Sequence, residues 1–62
     1  MLEYVKKILQ KVSFDAALFE KELRKSINMI VNEEIAELRR WCYANFGDRH
    51  EAILNRCFVM NA

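Results

Sequence analysis

Only one position in this chain, Gly47, has the backbone freedom of glycine, and proline is absent from all 62 residues. A chain so poor in turn-forming residues must be built from helices joined by short connections. Hydrophobic residues make up 53% of it, far above what a disordered or linker-rich segment carries. The length fits a single helical domain over residues 1–62, close to the lower limit for folding around its own core. A core of that size supplies only a small net stability, so size alone points toward self-association.

The pattern of apolar residues divides the chain into four helices. Leu2, Val5, Ile8, Leu9 and Val12 recur on one face, with Glu3, Lys6, Lys7, Gln10 and Lys11 opposite, which predicts a helix over 2–12. Glu3 and Lys7 stand at a favourable i,i+4 spacing. Ser13-Phe14-Asp15 then reads as a helix start, with Asp15 as N-cap and Phe14 and Phe19 at the spacing of a hydrophobic staple. A second helix over 16–30 follows, its core face carried by Ala16, Phe19, Leu23, Ile27 and Ile30. Leu18 and Met29 fall nearly opposite that face.

Continuing that face forward at about 100° per residue misses the next apolar set, Ile35, Leu38, Cys42 and Phe46, by roughly 110°. One straight helix cannot bury both faces against one surface. A break near 31–32 is therefore expected, with Asn32 as the next N-cap and Glu33 and Glu34 favouring the dipole. The third helix runs over 33–46, with Arg39 and Arg40 toward its C-terminal half. Gly47 is expected to end it in the left-handed conformation. Asp48 and Glu51 then resemble a capping box that opens a fourth helix over 49–59. The expected architecture is all-α, a small bundle of four short helices, with the third and fourth forming a tight hairpin at Gly47-Asp48.

Function is less constrained than fold. Ten Lys and Arg against nine Asp and Glu give a formal charge of +1, which provides no long-range field for nucleic acid or an anionic membrane. The N-terminal MLEYVKKILQKV is interrupted by charge and lacks the apolar run of a signal peptide or membrane span. A reducing cytoplasm with free thiols is the expectation for Cys42 and Cys57.

Cys42, His50 and Cys57 all face inward and form the weak candidate for a metal or thiol site. Their spacing supplies only three soft ligands, and buried cysteine more often acts as a small apolar side chain. An enzyme is not expected, because Cys57 and His50 are i,i+7 and a chain this small rarely encloses a pocket of about 300 Å3. No cofactor is expected either. The densest aromatic and basic cluster is Arg39, Arg40, Trp41 and Tyr43. Trp, Tyr and Arg are the residue types that most often anchor protein interfaces. The leading expectation is a non-catalytic protein-interaction module, binding an unidentified protein or itself through Arg39, Trp41 and Tyr43. The alternative is a small regulator that contacts RNA or DNA through Lys6, Lys7, Lys11, Arg39 and Arg40.

Overall fold

The computed structural model describes residues 1–59 and consists of four helices: α1 (Leu2–Val12), α2 (Ala16–Met29), α3 (Asn32–Phe46) and α4 (Glu51–Val59). Two helices pack against α1, namely α2 and α3, and the same two pack against α4. The helices therefore close a ring in the order α1, α2, α4, α3. Each helix contributes one stripe to the centre, where Leu9, Phe19, Leu23, Leu38, Cys42 and Leu54 are fully buried. Phe19 lies at the middle of this core, edge-on to Phe46 with ring centroids 5.0 Å apart.

The three connections show which local signals operate. At the first, Asp15 is the N-cap of α2, and its Oδ1 accepts the Leu18 amide at 3.1 Å. The staple does not form: Phe14 is 76% exposed while Phe19 is fully buried. At the second, Ile30 and Val31 are both extended, with ψ of 162° and 163°. Two β-branched residues in succession turn the chain between α2 and α3. The break thus falls at the expected place, but Val31 holds the cap position and Asn32 is already helical. Val31 contributes no side-chain cap.

The third connection departs most from expectation. Gly47 has φ −58° and ψ −34°, a right-handed conformation that any residue can adopt. The helical winding tightens here: the amides of Arg49 and His50 both donate to the Phe46 carbonyl, at 3.2 and 2.8 Å. Consequently α4 begins at Glu51, two residues later than the pattern suggests, and Asp48 is not its N-cap. The basic residues of α3 also lie short of its last turn, so Arg39 and Arg40 do not serve the helix dipole. On α1, Glu3 pairs with Lys6 at 3.6 Å, and Lys6 also reaches Glu37 of α3 at 3.8 Å.

Candidate functional site

The inward-facing cysteines and histidine are each accounted for by the core. His50 is 8% exposed, and its ring stacks on Phe19 at 4.5 Å with an interplanar angle of 26°. Its Nε2 lies 2.8 Å from the Ser13 carbonyl oxygen, which can only accept, so this nitrogen carries the proton. The bond ties the α1–α2 turn to the α3–α4 turn. That nitrogen is therefore committed to the fold.

Cys42 and Cys57 are buried thiols in the same core. Burial, reinforced by neighbouring Cys57, pushes the Cys42 thiol up to about 12. Cys57 is also raised, again chiefly by burial, while the Arg24 guanidinium beside it pulls the other way. A thiol at that value is protonated at neutral pH and is a poor nucleophile. Among the described residues, no three His, Cys, Asp or Glu side chains are grouped so as to hold a metal ion. Cys42 and Cys57 are neighbours in the core, but the candidate triad of Cys42, His50 and Cys57 does not come together as such a group.

Trp41 and Tyr43 close opposite seams of the ring. Trp41 is half-buried, edge-on to Phe46 at 5.5 Å, with the Lys6 ammonium of α1 5.7 Å above its ring. Tyr43 is half-buried on the other edge of α3, with its ring 6.3 Å from Phe58 of α4. Its hydroxyl donates to Asn55 Oδ1, also on α4. Two residues apart on a helix point roughly 200° apart, so these aromatics share no patch. Of the three residues expected to bind a partner, Arg39 and Tyr43 fall together and Trp41 does not.

Around Arg39 and Tyr43 the surface forms an open basin of about 420 Å3, lined by Arg39, Arg40, Tyr43 and Asn55. This exceeds the volume expected of so small a chain, although the depression opens to solvent rather than enclosing a cleft. The Arg39 guanidinium carbon sits 5.5 Å over the Tyr43 ring. Neither Arg39 nor Arg40 is ion-paired among the described residues. Lys6, by contrast, is engaged by two carboxylates and an indole, so that alternative nucleic-acid contact is already occupied. Lys7 and Lys11 are exposed on α1.

Asn55 had no signal in the sequence, because an isolated Asn on a polar helix face carries none. Met1 and Tyr4, each 62% exposed, likewise carried no signal in the sequence, and Phe14, expected to pack as a staple, is 76% exposed. Tyr4, Ile8, Glu22, Lys25 and Met29 line a smaller groove of about 170 Å3 between α1 and α2. Among the described residues, no helix is long and apolar enough to cross a membrane. A scan of protein-family models and searches of curated proteins and of solved structures each return no match to this chain.

Proposed function

We propose that this chain is a non-catalytic module that works by binding a protein, either another molecule or a second copy of itself. The observation that carries this reading is the basin on the α3–α4 face, where two arginines that have no ion pair among the described residues flank a half-buried tyrosine. Arg and Tyr anchor interfaces because each combines a large contact area with directed hydrogen bonds. Arg39, Arg40, Tyr43 and Asn55 form the proposed contact, and Trp41 is assigned to the α1–α3 seam. The buried, protonated thiols favour binding over catalysis, and we place the protein in the reducing cytoplasm.

Sedimentation velocity over a dilution series, paired with affinity retention from an extract of the source cells, tests the proposal. Arg39→Ala is the control, because Arg39 is exposed and its removal leaves the core intact. We expect either self-association or retention of a specific protein, in each case lost in the variant. A strict monomer that retains nothing beyond what Arg39→Ala retains would end the proposal.

A further inference from the structure

We infer that the Arg39–Arg40 basin is a site for an acidic peptide segment, taking the side-chain carboxylates of a partner protein. The inference rests on the protein-binding role proposed above and names the chemistry of the partner. Its first support is the way Arg39 is held. The guanidinium lies over the Tyr43 ring, which is itself fixed by its hydroxyl bond to Asn55 and by packing near Phe58. A cation–π contact of this kind engages the guanidinium charge and consumes none of its N–H donors, which remain to fork onto a carboxylate. The fork is thereby pre-positioned, which lowers the ordering cost of binding.

The second support is charge. Arg40 is the adjacent residue on the same helix, it is exposed, and no carboxylate of this chain neutralises either guanidinium among the described residues. Other cations are neutralised within the chain, with Glu20 holding both Arg24 and Arg56 at 2.9 Å and Lys25 paired with Glu22. Lys7, Lys11, Lys21 and Arg49 share with the two arginines the lack of an ion pair among the described residues. Arg39 and Arg40 differ from these in standing side by side in one basin. The hydrogen-bonding groups of the basin reinforce the preference. Asn55 Oδ1 is taken by Tyr43, which leaves the Asn55 amide nitrogen as a further donor. Two guanidinia and an amide N–H form a donor-rich pocket that a carboxylate satisfies.

Carboxylate is favoured over a nucleic-acid backbone because acidic residues share the helix that carries the two arginines. Binders of a phosphodiester chain carry a basic stripe across one face. Here Glu33, Glu34 and Glu37 share α3 with the two arginines, and the formal charge is only +1. Lys6 of α1 approaches the opposite, Trp41 edge of α3 and is already paired.

The test is a titration of the isotopically labelled chain with a capped oligo-glutamate peptide at low salt, followed by NMR. We expect saturable shifts of the Arg39 and Arg40 side-chain Nε–H signals and the Asn55 amide signals. The Arg39→Gln/Arg40→Gln double variant should weaken binding about tenfold or more, the loss typical of charge-assisted hydrogen bonds. An oligo-uridylate strand of matched length serves as the comparison. Binding of that strand as tightly as the peptide would overturn the inference in favour of nucleic acid. Absence of peptide binding, or shifts that the double variant leaves unchanged, would overturn it as well. If a protein is still retained through Arg39 in that case, the binding role stands and only the acidic-peptide assignment falls.

Discussion

A Cβ added at Gly47 would collide with the Tyr43 carbonyl oxygen, which lies one helical turn back and accepts the Gly47 amide at 3.1 Å. The backbone there is right-handed, so glycine is required for space and not for access to a left-handed conformation. These two requirements make different demands on a replacement. At a left-handed helix end, Asn is tolerated nearly as well as Gly. At a close approach, Asn and Ala carry the same offending Cβ. Gly47→Ala and Gly47→Asn should therefore both lower stability by about 1–3 kcal/mol, the usual cost of overpacking, read from the urea midpoint. If Gly47→Ala instead stabilised the chain, as Gly→Ala does where the backbone permits it, the close approach would be refuted. The collision also matters beyond stability, because a displaced Tyr43 would carry the basin with it.

At the scale of the element, the α2–α3 joint shows how much of the fold could be read from the residues. The phase mismatch between the Phe19–Leu23–Ile27 face and the Leu38–Cys42–Phe46 face placed the break correctly, because burial demands are legible in apolar spacing. The cap was assigned to Asn32 and proved to be Val31, because composition ranks capping residues but does not fix which one leaves the helix. The basin was half legible. Arg39, Arg40 and Tyr43 stood out as residue types, yet Asn55 enters only through the packing of α4, and Trp41 is separated by helical phase. The uncapped start of α3 makes a direct prediction. Val31→Ser would create Ser-x-x-Glu with Glu34 at the N3 position, a capping box. Val31 is 58% exposed, so the exchange costs little burial. We expect a gain of about 1 kcal/mol, seen as a higher urea midpoint with an unchanged slope. No gain would mean that the extended geometry at Val31 does not present a side chain to the first turn.

For the molecule as a whole, the ring of four helices concentrates its stability in very few side chains. A chain of this length has roughly 3–9 kcal/mol of stability to lose, at the usual value per residue. Phe19 is fully buried, stacks on His50 and meets Phe46 edge-on, so it touches the α3–α4 turn and the centre at once. Truncating a buried phenylalanine costs about 3–5 kcal/mol, comparable with the whole. Phe14, five residues earlier, is the same side chain at 76% exposure, and exposed substitutions usually change stability by less than about 0.5 kcal/mol. Phe19→Ala should therefore leave the chain largely unfolded at ambient temperature by far-ultraviolet circular dichroism, whereas Phe14→Ala should melt as the parent does. Comparable losses in both variants would mean that Phe14 is buried in solution, either by a second copy or by a rearranged first turn. Repeating the melts at several chain concentrations separates those causes, since only burial by a second copy makes the midpoint depend on concentration.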